Sequence, residues 1–251
     1  MFDIFSGILQ GLTEFLPISS SGHLVIFNNI FRNTSINIED ITLLHLGTLF
    51  SIIIFYRVEI INIIKNFREG EKILQKVLMA TLPAALIGFF SDGLSFIYNS
   101  PQIVLYTGVA YLIMSLILFR QKTFTKDGEK RIVDISYYDS FIIGIAQALA
   151  LFPGISRAGV TLVAGLILGV NKKDALLFSF LLGIPTIFGA GIYTIMQNGL
   201  EINLTSTVAT ILAFLSGLLA INILVRFTLD SNLYKFGFYT LILSLISFIT
   251  I

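Results

Sequence analysis

Glu14, Ser20, His23 and Arg157 are the side chains of this 251-residue chain whose types and surroundings could do chemistry. Glu14 and Arg157 each lie inside an apolar stretch, where an ionised side chain costs roughly 2.5–3.5 kcal/mol on insertion scales, so each needs a partner or a task. Their neighbours are small residues and hydroxyl donors: Ser19, Ser20, Ser21 and Gly22 follow Glu14, while Gly154, Ser156 and Gly159 flank Arg157. Hydroxyls, close backbone approach and helix starts around one guanidinium describe an oxyanion site. A phosphate matches the planar fork of an arginine better than a halide does. His23 stands three positions beyond Ser20, so the two could share a turn, and the imidazole could serve as base or nucleophile. Gln10 and Glu14, four apart, share a helix face, and a carboxylate beside an amide oxygen can hold a hard cation whose other ligands are water and substrate oxygens.

Each of these residues has a plainer reading. Glu14 and Arg157 could form an ion pair that only locks two parts of the chain together. Gln10 and Gln147 could bond from helix to helix. Thr161, one turn after Arg157, could point at the same anion or bond back to its own helix. His45, in the middle of an apolar window, reads as structural.

The elements that must position these groups come in two similar sets. At a constant offset of 137, Gly7, Ile8, Gln10, Leu12, Phe15, Ser19 and Gly22 fall on Gly144, Ile145, Gln147, Leu149, Phe152, Ser156 and Gly159. The chain reads as a duplicated unit. Each copy carries a break of Pro, Ser and Gly inside an apolar run, and the ionisable residues differ: Glu14 and His23 in one break, Arg157 in the other.

Composition puts the chain in a bilayer. It is 55% hydrophobic with a mean hydropathy of +0.89, and 12% is charged, against about 25% in an ordinary soluble domain. Windows nearly free of charge run over 43–56, 77–91, 93–119, 175–200, 202–225 and 236–251, several of them near the roughly 20 residues that a spanning helix needs. A net charge of +1 argues against a nucleic-acid role, which needs a concentrated basic face. Without cysteine there is no disulfide or thiolate site, and two histidines leave little room for zinc.

Basic residues gather in two stretches, Arg57, Lys65, Arg68, Lys72 and Lys76, then Arg120, Lys122, Lys126, Lys130 and Arg131. The positive-inside rule places both in the cytoplasm as loops, together with Lys172, Lys173, Arg226 and Lys235. Residues 32–40 and the 197–205 loop with Glu201 then face outside. The expected fold is an all-α integral membrane protein with an inverted-topology repeat. Repeat 1 covers 1–125, with a re-entrant hairpin at 1–30 and spans near 41–56, 77–91 and 102–119. Repeat 2 covers 136–251, with a re-entrant hairpin at 136–170 and spans near 175–196, 206–225 and 235–251. Irregular backbone at membrane depth must be buried in protein or line a wet cavity, so the two broken tips should meet.

The segments 10–23 and 153–161 resemble the (E/Q)xxxE segment with its Ser-rich stretch and His, and the PGxSRSxxT segment, of the undecaprenyl-diphosphate phosphatases, the bacitracin-resistance proteins. The resemblance extends over essentially the whole chain, including the His-Leu-Gly-Thr segment at His45 and residues 178–185. It implies release of the terminal phosphate from undecaprenyl diphosphate in the plasma membrane, with a site open to the outside and dependence on Mg2+ or Ca2+ held by Glu14 and Gln10. It also implies a catalytic group of Glu14, His23, Arg157 and Ser20, with Ser19, Ser21, Gly154, Ser156 and Thr161 around the diphosphate. Gln10 stands where the pattern often has Glu, and Ala158 where it usually has Ser. Membrane lipids and the polyprenyl substrate are the expected partners, and a homodimer is compatible with the sequence. The competing function is a flippase or carrier for a polyprenyl phosphate, which needs the anion site but no activated nucleophile.

Overall fold

A computed structural model describes residues 2–31, 38–90, 95–124, 128–200 and 202–251. The stretch 32–37, Lys126 and Glu201, to which the charge pattern assigned a side of the membrane, lie outside the described residues. Among those described, the chain is helical, and the one β-type pairing is an isolated bridge between Lys130 and Val170.

The helices are α1 (Phe2–Phe15), α2 (Ser20–Phe31), α3 (Ile38–Phe55), α4 (Arg57–Lys65), α5 (Phe67–Phe90), α6 (Ser95–Tyr98), α7 (Ile103–Phe124), α8 (Tyr137–Leu149), α9 (Arg157–Ile167), α10 (Lys172–Asn198), α11 (Leu204–Leu229) and α12 (Tyr234–Ile249). Four of them, α5, α7, α10 and α11, are long and apolar enough to cross a membrane. A fifth crossing arises if α3 and α4, bent by 68° where they join, count as one. The chain is a multi-pass membrane protein. On the long helices, large aliphatic side chains stay outside the packed interior in rows one turn apart, Leu78, Leu82 and Leu86 on α5 and Ile211, Leu215 and Leu219 on α11. Such rows would aggregate in water and suit lipid contact.

The sequence-based boundaries depart from the structure in two places. The basic stretch 57–76, expected as a loop, is helix α4 and the first turns of α5, and Lys76 is buried with its Nζ donating to the carbonyl of Val133 at 2.8 Å. Its Lys and Glu residues favour helix as strongly as the apolar run that follows, so a change of charge does not end the helix. The last span, expected over 235–251, is a 16-residue helix, short of the length for an independent crossing.

Packing follows the two breaks. Helices α1 and α2 are separated by residues 16–19, and α8 and α9 by residues 150–156. Helix α1 lies along α11, while α8 lies along α5. In both cases a glycine lets backbones touch: a Cβ on Gly7 would meet the carbonyl oxygen of Ala209, and one on Gly144 that of Ala80. This is the small-residue contact by which membrane helices approach without a hydrophobic driving force. Helix α3 packs on α10 and α11, α5 on α10, and α7 on α12 and both outer arms, α2 and α9. The core between them is built from Phe15, Ile52, Met114, Leu162, Phe178, Phe180 and Leu182.

Candidate active site

The two breaks meet and clasp each other. Ser19 sits at φ +62° and its Oγ accepts the N–H of Gly154 at 3.1 Å, while Gly154 itself stands at φ +104°. Ser156 caps α9 by accepting the Gly159 N–H at 3.2 Å, and its hydroxyl donates to the Leu16 carbonyl at 3.1 Å. Both bonds are donated by the second break and accepted by the first, and backbone groups that the breaks leave without helical partners are paired within the protein. Ser19 and Ser156 are buried to 3% and 2% exposure, and their hydroxyls are committed to backbone. The sequence places them, with Gly154, around an anion; in the structure their hydroxyls join the two breaks.

That frame brings Glu14 against Arg157. Phe15, the next residue, is fully buried against Phe180 of α10 with ring centroids 5.6 Å apart, which fixes the end of α1. Glu14 Oε1 accepts from one guanidinium nitrogen of Arg157 at 2.8 Å. Its Oε2 accepts from Gln10 Nε2 at 3.0 Å and from the Ser20 hydroxyl at 2.9 Å. The side chains of Glu14 and Arg157 are 8% and 12% exposed, so the ion pair offsets a desolvation that either charge alone would bear in full. The second terminal nitrogen of Arg157, Nη1, is buried and has no hydrogen-bond partner. A cationic N–H left unpaired in a buried place is costly, and an anion's oxygen would satisfy it. Gly183 of α10 leaves room for this nitrogen, since a Cβ there would overlap it.

Two of the expected members are placed differently. Thr161 donates to the Arg157 carbonyl at 2.8 Å and shares a bond with Ser179 at 2.6 Å, so its hydroxyl is spent within α9 and on α10. A threonine hydroxyl always has its own helix's carbonyl in reach, and with Ser179 beside it the polar pair closes on itself. His23 shares its turn with Ser20 but not its partners. Nδ1 is 2.7 Å from the Ser19 carbonyl and 3.1 Å from Tyr111 Oη, and Nε2 is 2.8 Å from Tyr239 Oη. Its hydrogen bonds run to α7 and α12, whereas those of Ser20 run to Glu14. Ser21 is half-buried, with its Oγ 3.3 Å from that of Ser19. Gln147 bonds from helix to helix, donating to the Ala80 carbonyl at 3.3 Å and accepting from Thr186 at 3.2 Å.

The sequence reading missed His45, Gly183, Tyr111 and Tyr239. His45 was read as structural for want of a partner. Its Nδ1 is anchored on the Ile41 carbonyl at 2.8 Å, and its Nε2 faces Glu14 Oε2 at 3.7 Å. An imidazole inside an apolar window was the available signal, but a partner thirty-one residues upstream has no local signature. Among the described residues no three His, Cys, Asp or Glu side chains gather as a metal cage. The oxygen donors gathered at Arg157 include the Glu14 carboxylate, with the Gln10 amide and the Ser20 hydroxyl beside it.

This arrangement sits in a chain whose residues 3–246 match the family model described as bacitracin resistance protein BacA. The chain belongs to that family. Over 99% of both chains it is 40% identical to the undecaprenyl-diphosphatase of Thermosipho africanus. It is 40% identical over 98% of both chains to that of Methanococcus vannielii, and 37% identical to that of a Thermotoga species, strain RQ2, over 98% of this chain and 99% of the relative. The similarity thus extends past the two breaks to every BacA-family element that holds them.

Proposed function

We propose that this BacA-family protein hydrolyses undecaprenyl diphosphate to undecaprenyl phosphate and inorganic phosphate, recycling the lipid that carries cell-wall precursors. The observation that carries the reading is the divided guanidinium of Arg157, with one arm fixed by Glu14 and the other buried and unpaired beside it. A terminal phosphoryl group fits there, because its oxygens bear the charge that builds up when the P–O bond to the leaving phosphate lengthens. Donors fixed before the substrate arrives need no reorganisation as that charge develops.

Ser20 is the hydroxyl best placed to attack, since it donates to Glu14 at 2.9 Å. Its Oγ would bond to the terminal phosphorus as the bridging P–O bond breaks and undecaprenyl phosphate leaves, with the Ser20 proton passing to Glu14. Water then cleaves the serine phosphate and frees inorganic phosphate. His23 is the base assigned to that water, one turn beyond Ser20. The starts of α2 and α9, at Ser20 and Arg157, add backbone N–H groups near the same point. Mg2+ or Ca2+ would be held by Glu14 with Gln10, its amide turned to present the carbonyl, and Ser20. The rest of the shell would be phosphate oxygens and water, and the ion would neutralise charge on the diphosphate.

The architecture we propose for the BacA family chain is two inverted repeats, 1–125 and 136–251, each with a re-entrant hairpin, α1–α2 or α8–α9. What supports it is that exchanging α1, α3, α5 and α7 for α8, α10, α11 and α12 maps the principal packing pairs onto one another: α1 on α11 with α8 on α5, and α3 on α11 with α10 on α5. The protein would lie in the plasma membrane with the site reached from outside, as the family resemblance implies.

The test is phosphate release from undecaprenyl diphosphate by purified protein in detergent, with Mg2+ or Ca2+ and with a chelator, beside Ser20→Ala, His23→Ala and Arg157→Ala. Metal-dependent release that the three substitutions abolish is expected. A fully active Arg157→Ala protein would sink the assignment. Folded protein that binds the lipid and releases no phosphate would make it a carrier, which needs Arg157 but not the Ser20–Glu14 pair.

A further inference from the structure

His23 is bonded on both ring nitrogens, and two of its three partners, Tyr111 and Tyr239, lie outside the motif segments. The Ser19 carbonyl can only accept, so at 2.7 Å from it Nδ1 carries a proton. In the neutral ring Nε2 is then bare, and the hydroxyl of Tyr239 lies 2.8 Å from it. The two rings also stack, with centroids 5.7 Å apart and planes 20° from parallel. Tyr111 closes the other side. Fully buried, it donates to the Ser19 carbonyl at 3.2 Å, stands 3.1 Å from Nδ1, and meets the imidazole edge-on at 6.1 Å.

We infer that Tyr239, on the last helix, is a positioning residue for His23: its hydroxyl and ring hold the imidazole in one plane and one tautomer, with the proton on Nδ1 and the unprotonated Nε2 accepting the Tyr239 O–H. This deepens the phosphatase reading and rests on it for its kinetic consequence. A phenol suits the task better than an amide or a carbonyl. It donates to a bare Nε2 and, by turning its O–H, accepts from a protonated one, so the ring keeps its place through a cycle of taking up and releasing a proton. The contact also ties α12 to α2, two helices 216 residues apart at this bond, and so gives the short C-terminal helix a part in the site that its length and composition do not announce.

Tyr239→Phe keeps the stacked ring and removes only the hydroxyl, at a position 43% exposed, so folding should survive. The protein is labelled with 15N in its two histidine rings, and the His23 signals are assigned by their loss in His23→Ala. Wild type is expected to show a protonated Nδ1 and a hydrogen-bonded bare Nε2, and Tyr239→Phe to move the Nε2 signal toward that of a free imidazole. In steady-state phosphate release, Tyr239→Phe should lower kcat about tenfold, the worth of one hydrogen bond to the ring, and leave KM within about twofold. Tyr111→Phe serves as the second variant and should disturb Nδ1 instead. A proton on Nε2 in wild type, an unmoved Nε2 signal in Tyr239→Phe, or an unchanged kcat would each overturn the inference. If wild type releases no phosphate, the phosphatase reading fails, and the spectra still decide whether Tyr239 holds the ring.

Discussion

Arg157 is asked to do two jobs with two nitrogens, and they can be separated. One arm neutralises Glu14 at 2.8 Å, while the other, buried and unpaired, is the one proposed to meet a phosphoryl oxygen. Arg157→Ala removes both and strands a carboxylate whose side chain is 8% exposed. Breaking one side of a buried pair costs about 3–5 kcal/mol, so thermal unfolding in detergent should show a large loss. Adding Glu14→Gln should return most of that stability, since no charge then remains and Gln10 and Ser20 can still bond to the amide oxygen; phosphate release should stay abolished. Arg157→Lys is the decisive variant. A single ammonium can stay on Glu14 and keep the buried pair, so the protein should melt well above Arg157→Ala, but it has no second arm. Losing one donor to a developing oxyanion costs about 2.7–4 kcal/mol, on the order of a 10²–10³-fold fall in kcat. An Arg157→Lys protein that keeps kcat within about threefold would refute the two-arm account. So would a double variant as unstable as Arg157→Ala alone.

Three further outcomes follow from the same geometry. Gly183→Ala puts a Cβ onto the free arm of Arg157, so phosphate release should fall at least about tenfold while the melting temperature changes little, that arm being the far end of a flexible side chain. Gly154→Ala fails for another reason: at φ +104°, with the Thr107 carbonyl 2.7 Å from the added Cβ, it should lower stability by about 1–3 kcal/mol from backbone conformation alone, measurable by thermal unfolding. His45→Ala leaves the fold intact, because the ring is a third exposed, yet removes a group facing Glu14 Oε2, and kcat should drop about threefold to tenfold, as for one modest polar contact.

The parts of this site legible in the sequence are those with a local cause. Pro, Ser and Gly at residues 17–22 and 153–159 break their helices wherever they lie, and the breaks are where the offset of 137 put them. A carboxylate and a guanidinium in apolar surroundings demand each other, and Glu14 does meet Arg157. Which hydroxyl faces what was not legible. Ser19, Ser20 and Ser21 are chemically one residue type in a row, and only the positive φ of Ser19 turns its Oγ toward Gly154 and leaves Ser20 for Glu14. Tyr111, Gly183 and Tyr239 act from helices whose register against α2 and α9 no local pattern records.

The matched and unmatched positions of the two breaks divide the labour. On the proposed duplication, Ser19 pairs with Ser156 and both are clasps. Gly22 pairs with Gly159, and each would drive a Cβ into the opposite break and α7, Gly22 into Gly154 and Tyr111, Gly159 into Pro17 and Met114. These contacts are needed on both sides of a two-fold-related joint, so identity is what keeps them. The residues proposed for the chemistry sit at positions where the copies differ: Glu14 against Leu151, Ser20 against Arg157, His23 against Val160. An acid repeated on both sides would place two carboxylates at one joint, and a repeated arginine two cations, each pair repelling in a medium that screens little. A joint that needs sameness to close and opposite charges to react can arise from one ancestral unit only if the framing residues stay equal and the reacting ones diverge. The roles read here from hydrogen bonds fall along that line.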